Sequence, residues 1–136
     1  MIFKNLLDYY AIRNQHSIEN KKVIFKNLTD RVIYITDIDG KNVTHTLNPE
    51  SRAAFSTSAL NVVQEFNGVP VVQPLYEDAL GIPLPEKDVI FIVKFSVLRA
   101  LNGCRLDVVS PDTSPSGVVR DEITGKVRGI RNFQVL

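Results

Sequence analysis

The chain has 136 residues, of which 44% are hydrophobic and 23% charged, so it suits one globular domain and is too apolar for full disorder. Its 16 basic and 15 acidic side chains give a net charge of +1, which disfavours a general nucleic-acid binder because such domains are strongly basic. A single cysteine, Cys104, excludes a disulfide framework, and with two histidines it leaves no ordinary structural zinc site.

The first twenty residues lack a signal-peptide core, because Lys4, Asp8 and Arg13 interrupt their apolar residues. Loose helical spacing predicts a helical N-terminal extension over residues 1–20, followed by a single β-rich domain over residues 21–136. No apolar run approaches the roughly 20 residues that span a bilayer. With the unpaired cysteine, this predicts a cytoplasmic protein without membrane contact.

The first part of the domain is predicted to be β-structure. β-branched and aromatic residues indicate strands over Val23–Phe25 and Val32–Thr36. Asp39-Gly40 predicts a two-residue turn into a return strand over Asn42–Leu47, in which polar and apolar residues alternate. A short strand is also predicted over Ala53–Phe55.

A second hairpin is predicted around Asn67-Gly68, with strands over Val62–Phe66 and Val69–Val72. Pro70 places the second strand at a sheet edge or a strand start, because proline cannot donate to the ladder. Residues 73–88 contain three prolines and four acidic residues, and we expect an extended acidic surface loop there.

The last third begins with an apolar strand over Val89–Val93, which we expect to be buried on both faces. A helix is predicted over Phe95–Leu101, ended by Asn102-Gly103. The overall prediction is an α+β fold with a mostly antiparallel sheet, either curved or closed into a small β-barrel, and one or two helices. The remaining predicted strands are Val108–Val109, Val118–Arg120 and a single final strand over Val127–Val135.

Patterns typical of catalysis are absent from the sequence. Cys104 follows the predicted helix end without a nucleophile signature, so an inert thiol is the better interpretation. Paired acids such as Asp37 and Asp39 lie at predicted turns, and no phosphate-loop glycine motif occurs. We therefore expect a protein that is not an enzyme and that has neither a metal nor a cofactor.

The polar loop over Ser110–Asp121 is the strongest candidate for a binding site. Its two prolines stiffen it, it carries Asp112 and Thr113, and Arg120 at its end offers a planar fork to a phosphate. The alternative is an internally hydrogen-bonded connection in which Arg120 pairs with Asp112 or Asp121. Both interpretations remain open at the level of the sequence.

From Asn27 onward the chain resembles a group of small bacteriophage and prophage proteins, over about four-fifths of its length. Ser114 stands where a glycine is expected, and Glu50-Ser51 replaces a Ser-Gly turn. The C-terminal motif is Pro111-Asp112-Thr113 with Pro115, followed by Val119-Arg120-Asp121. The C-terminal motif continues to Gly125, and the further matching pieces are Asn27–Thr29, Asp39-Gly40, Pro49–Ala53, Gly68–Val72, Gly81–Pro85, the strand and helix over Phe91–Leu101, and Val127–Phe133.

Within this group the chain is similar to the phage anti-Thoeris sponge family, whose members sequester signalling nucleotides without cleaving them. The resemblance implies a cytoplasmic homo-oligomer that binds a cyclic nucleotide or a cyclic ADP-ribose-type molecule in pockets shared between subunits. It implies Arg120 and Arg52 as phosphate contacts, Phe91 or Phe95 as a stacking ring, and Asn102 as a polar contact.

Plainer interpretations stand beside these roles: Phe91 as a core residue, Asn102 as a helix end and Arg52 as a surface charge. The alternative function is a phage accessory or structural module that binds a host protein through the acidic segment 75–88. A small hydrolase that uses an acid within the 111–121 loop ranks third. The charge of +1 disfavours long polyanions but not a ligand with two phosphates, for which a few arginines suffice.

Overall fold

A computed structural model describes residues 22–136, in which ten strands and one helix make up the regular structure. The extension predicted over residues 1–20 lies outside the described residues. No helix in the described range has the length and apolarity needed to cross a bilayer. The elements are β1 (Ile24–Asn27), β2 (Ile33–Thr36), β3 (Val43–Leu47), β4 (Phe55–Phe66), β5 (Val69–Leu80), β6 (Val89–Ile92), α1 (Phe95–Leu101), β7 (Val108–Pro111), β8 (Val118–Arg120), β9 (Val127–Ile130) and β10 (Phe133–Gln134).

The strands form three sheets, so the predicted α+β class is confirmed in its broad form and the barrel alternative is wrong. The first sheet has the order β1-β6-β7-β10, the second has the order β3-β2-β9-β8, and β4 pairs with β5 in a separate ribbon. Within residues 22–136, β1 pairs with β6, β6 with β7 and β2 with β9 in parallel. The prediction of a mostly antiparallel sheet was therefore only partly correct. Long crossovers, such as the one through α1, allow neighbouring strands to run parallel.

β6 is the central buried strand of the molecule, as its unbroken apolar sequence predicts. Phe91 and Val93 pack on the side of α1, where Val97 of the helix joins the same cluster. Ile90 and Ile92 point to the other side, where they pack against strands of the second sheet. The first sheet therefore lies between the helix and the second sheet, since successive side chains of a strand point to opposite faces.

The helix follows the prediction over Phe95–Leu101. Asn102, with φ of 49°, and Gly103, with φ of 81°, adopt the left-handed conformation that ends many helices. The backbone N–H of Asn102 donates to the Arg99 carbonyl at 3.1 Å. Asn102 is therefore the helix-ending residue that its sequence context suggests.

The second hairpin is much longer than predicted, because β4 and β5 each have twelve residues. Asn67 and Gly68 both have positive φ, as the favoured two-residue hairpin turn requires. The loop predicted over residues 73–88 was wrong over residues 73–80, which belong to β5. Proline fits this strand because a two-stranded ribbon leaves one edge of each strand free. The short strand predicted over Ala53–Phe55 was likewise wrong, since β4 only begins at its last residue.

Two further predictions need correction. The first hairpin turns through six residues rather than two, and its backbone folds around Asp37, whose carboxylate accepts the Lys41 N–H at 2.9 Å. The single final strand is two strands in different sheets, separated at Arg131. The Arg131 guanidinium donates to the carbonyls of Ile38 and Val118 at 3.1 and 3.0 Å, and these bonds hold the break in place.

Candidate functional site

A groove of about 680 Å³ opens where the three parallel strands of the first sheet end. Residues that follow β1, β6 and β7 form one side of it, and residues of β2 and β9 form the other. The carboxyl ends of parallel strands are a common place for ligands, because the chain diverges there and leaves a crevice. The lining residues are Thr29, Asp30, Arg31, Val32, Ile33, Tyr34, Lys94, Phe95, Ser110, Pro111, Thr113, Val127, Arg128, Gly129 and Ile130.

The groove carries an excess of positive charge, since Arg31, Lys94 and Arg128 face a single acid, Asp30. Lys94 Nζ lies 3.2 Å from Asp30 Oδ2, and this hydrogen bond lowers the pKa of Asp30 below its ordinary value of 3.8. Neither arginine side chain donates a hydrogen bond to another residue of the described range 22–136. Both guanidinium groups can therefore donate to an anion in the groove, and the charge of Arg128 also helps to lower the pKa of Asp121.

Two aromatic side chains accompany these charges. Tyr34 is 44% exposed and Phe95 is 42% exposed, so each ring presents a large part of its surface to solvent. The Arg99 guanidinium carbon lies 5.9 Å from the centre of the Phe95 ring, which fits a cation–π contact. Half-exposed rings beside cations suit a ligand that combines a planar heterocycle with a negative group.

A buried hydrogen-bond network fixes one wall of the groove. The amide nitrogen of Asn27 donates to the carbonyls of Arg31 and Leu47 at 2.8 and 2.9 Å. Its amide oxygen accepts the N–H and the hydroxyl of Thr29 at 2.9 and 2.7 Å. Asn27 is 1% exposed, its two bonds with Thr29 are buried, and its two bonds to the carbonyls are partly buried. The network holds the turn that carries Asp30 and Arg31. This gives the Asn27–Thr29 sequence a structural role, because both of its polar side chains belong to the network.

Arg120 lies outside this groove, in a second cavity of about 400 Å³ between the turns that follow β2 and β8. Its guanidinium Nη1 donates to the Gly125 carbonyl at 2.9 Å. It forms no ion pair with Asp112 or Asp121, the two partners that the sequence had left open. The second cavity mixes both signs of charge, with Asp39, Lys41, Asp121, Glu122, Arg128 and Arg131 among its lining residues.

Of the two candidate residues in the 110–121 loop, Thr113 is exposed and lines the groove. Asp112 instead organises the loop: its carboxylate accepts the Ser114 N–H at 3.0 Å and the Asn132 amide at 2.8 Å. These two bonds hold the pKa of Asp112 below its ordinary value, and the bond from Ser114 has the larger effect. The loop therefore combines an internal hydrogen-bonded frame with one hydroxyl that faces the groove.

The other three candidates lie apart from both cavities. Phe91 has no exposed surface, so its ring belongs to the core and is not accessible to a ligand in this structure. Asn102 is exposed at the end of α1, and Arg52 is exposed in the turn before β4. The structure thus brings Phe95 and Thr113 together in one groove and leaves Phe91, Asn102 and Arg52 outside it.

Sequence reasoning missed the four polar or aromatic residues that give the groove its character: Arg31, Tyr34, Lys94 and Arg128. A usable signal existed, because Lys94 directly follows the strand predicted over Val89–Val93, and Arg31 lies in the segment that follows the strand predicted over Val23–Phe25. Had those strands been taken as parallel, their carboxyl ends would have been placed at one edge. The antiparallel prediction hid the fact that these positions are neighbours.

No protein-family model matches the chain, and comparisons with curated proteins and with solved structures likewise gave no match. The groove is therefore interpreted from its own chemistry. Its cations suit a phosphate, its aromatic rings suit a planar base, and its Thr113 hydroxyl suits a sugar or phosphate oxygen.

Proposed function

We propose that this protein binds a small phosphate-bearing nucleotide in the groove and holds it without chemical change. The observation that carries the proposal is the meeting of three cations and two half-exposed aromatic rings at the carboxyl ends of β1, β6 and β7. A cyclic nucleotide or a cyclic ADP-ribose-type molecule combines the two chemistries that this set of side chains recognises.

Arg31 and Arg128 are the proposed phosphate contacts, because their guanidinium groups donate no hydrogen bond within the described part of the chain. A charge-assisted hydrogen bond contributes about 1.5–3 kcal/mol, so two such residues account for a large share of the affinity. Tyr34 or Phe95 would stack on the base. Sequestration requires tight binding alone, so the proposal assigns no acid, base or nucleophile to the groove.

The biological role that we propose follows the resemblance of the chain to phage sponge proteins. In that role the protein removes a signalling nucleotide from the cytoplasm of an infected bacterium and so blocks an antiviral response. We also propose that it acts as a homo-oligomer, as the resemblance implies. Arg120 and Arg52, the phosphate contacts expected from the resemblance, are replaced in this proposal by Arg31 and Arg128, because only the latter pair lines the groove.

Calorimetric titration with cyclic ADP-ribose and with a cyclic dinucleotide tests the site. We expect Arg31→Glu and Arg128→Glu each to weaken binding by at least about tenfold, since each loses a charge-assisted bond and adds repulsion. Arg52→Glu is the matched control, because Arg52 is exposed and lies outside the groove. Loss of binding in Arg120→Glu with full binding in Arg31→Glu would move the site to the second cavity and refute this assignment.

Mass spectrometry of the bound nucleotide tests the absence of turnover. After incubation with excess protein and denaturation, we expect the nucleotide to be recovered with its original mass. A hydrolysed or ring-opened product that depends on the protein would show that the groove is catalytic. Native mass spectrometry from a cell lysate reports the retained ligand directly.

A further inference from the structure

The hairpin of β4 and β5 is the least buried part of the described chain. Every residue from 61 to 78 is exposed. Eleven large hydrophobic side chains of the two strands are exposed, each by at least 37%, including Leu60 at 69% and Val69 at 63%. Of the hairpin, only Ala79 packs against a described core cluster. Exposed apolar side chains that cluster on one element, rather than lying singly over the surface, are typical of an association surface.

The two free edges of this ribbon are not equivalent. β5 carries Pro70 and Pro74, which have no N–H to offer, and a paired strand accommodates proline by directing its nitrogen toward the free edge. β4 contains neither proline nor a basic residue, and Glu65 is its only charge in twelve residues. Edge strands that must stay unpaired usually carry such blocking residues. The edge of β4 lacks them, and β5 is its only partner within residues 22–136.

We propose that two copies of this chain associate through their β4 edges, antiparallel about a twofold axis near Leu60 and Asn61, to form a four-stranded sheet. A two-stranded ribbon alone is marginally stable in water and needs further strands with an apolar face or a packed helix. α1 contacts the ribbon, but Ala79 is the hairpin residue that joins its core cluster, and residues 61–78 stay exposed. Pairing the two ribbons meets that requirement.

Length favours a second copy as the occupant, and charge decides its orientation. Residues 55–80 carry Glu65, Glu77 and Asp78 and no basic residue, so parallel side-by-side pairing of two ribbons would bring like charges together. An antiparallel pairing about the middle of β4 places the two Glu65 side chains about 30 Å apart. A second β4 also matches the twelve-residue length of the open edge, with one apolar strand meeting another.

This inference gives a surface to the homo-oligomer of the proposed function, but its evidence is the hairpin alone. The groove residues belong to other elements, so nucleotide binding and self-association fail separately. A β4 variant that is monomeric and still binds nucleotide would leave the proposed function in place. A variant that has lost nucleotide binding but remains dimeric would leave this inference in place.

Sedimentation velocity on the purified full chain tests the interface. We expect the unaltered protein to sediment as a dimer, Leu60→Lys to sediment as a monomer, and Leu84→Lys to remain a dimer. The control makes the same chemical change at a leucine that is 83% exposed outside the hairpin. Circular dichroism verifies that Leu60→Lys is folded, which we expect because its side chain is already exposed. A monomeric unaltered protein, or equal dimerisation of the two variants, would overturn the inference.

Cross-linking gives a second measurement that does not depend on weakening the interface. A strand that pairs antiparallel with its own copy brings its central residue opposite itself, within reach of a disulfide. In a Cys104→Ser background, we expect Leu60→Cys or Asn61→Cys to form a disulfide-linked dimer on mild oxidation. Leu84→Cys serves as the control and should stay monomeric under denaturing conditions. Absence of the cross-link at both central positions, or capture of a different protein by the hairpin of a monomeric chain, contradicts the proposal.

Discussion

Asn27 shows how one buried amide sets the position of a binding loop. Its side chain uses every donor and acceptor that it has, on the carbonyls of Arg31 and Leu47 and on the N–H and hydroxyl of Thr29. We expect Asn27→Ala to lower the free energy of unfolding by about 3 kcal/mol, because it removes all four hydrogen bonds of a buried side chain and takes the side-chain acceptor away from the Thr29 N–H. Urea denaturation measures this loss. Asn48→Ala, at an exposed position, should change stability by less than about 0.5 kcal/mol. Equal effects of the two substitutions would refute the role of the network.

The residues of the candidate site differ in how well the sequence alone could identify them. Phe95 and Thr113 were singled out and do line the groove. Phe91 was singled out for its aromatic ring, but its place on a fully apolar strand sends it into the core. Arg31 and Tyr34 were overlooked because nothing local distinguishes a groove residue from an ordinary exposed side chain.

The close approach of strands β9 and β2 requires a glycine at position 129. A Cβ atom at Gly129 would lie 2.6 Å from the Tyr34 carbonyl oxygen and 3.1 Å from Cγ2 of Thr36. We expect Gly129→Ala to push the two strands apart and to lower stability by about 1–3 kcal/mol. Because Tyr34 and Gly129 both line the groove, nucleotide affinity should fall as well. Thr46→Ala on β3 is the control, measured by thermal unfolding and calorimetry. Unchanged stability in the glycine variant would show that the strands can separate freely.

Element boundaries were predictable where local chemistry decides them. The helix over Phe95–Leu101 and the Asn67-Gly68 turn follow from a helix-ending glycine and from residues that accept positive φ. The end of β5 was not predictable, since Pro74 ordinarily indicates a loop. Pairing with β4 across the ribbon overrides that preference, and no local pattern reports such a partner.

For the whole molecule, acid stability should depend on a set of aspartates whose pKa values are lowered. Lys94 lowers the pKa of Asp30, Ser114 and Asn132 lower that of Asp112, and the N–H groups of Thr124 and Ile123 lower that of Asp121. Each folded-state pKa lies below the ordinary 3.8, so these carboxylates stabilise the fold fully above that pH. Their contribution is lost as the pH falls through the lowered values.

The midpoint of urea denaturation, measured at several pH values between 7 and 2.5, tests this pH dependence. We expect little contribution from these aspartates to pH dependence above pH 5 and a fall in the midpoint below pH 4. Asn132→Ala removes one donor to Asp112 and should reduce the steepness of that fall. A midpoint that rises as the pH falls below 4 would contradict the assignment.

The sequence by itself determined the β-rich character, the helix, the central buried strand and the main hairpin turn, because each depends on neighbouring residues. Only the tertiary structure decided which strands run parallel, since an apolar strand has the same pattern in either direction. That choice places the ends of β1, β6 and β7 at one edge and so creates the groove. The tertiary structure also decided that the β4–β5 ribbon has no third strand, because neither of the other two sheets of the described chain extends to it.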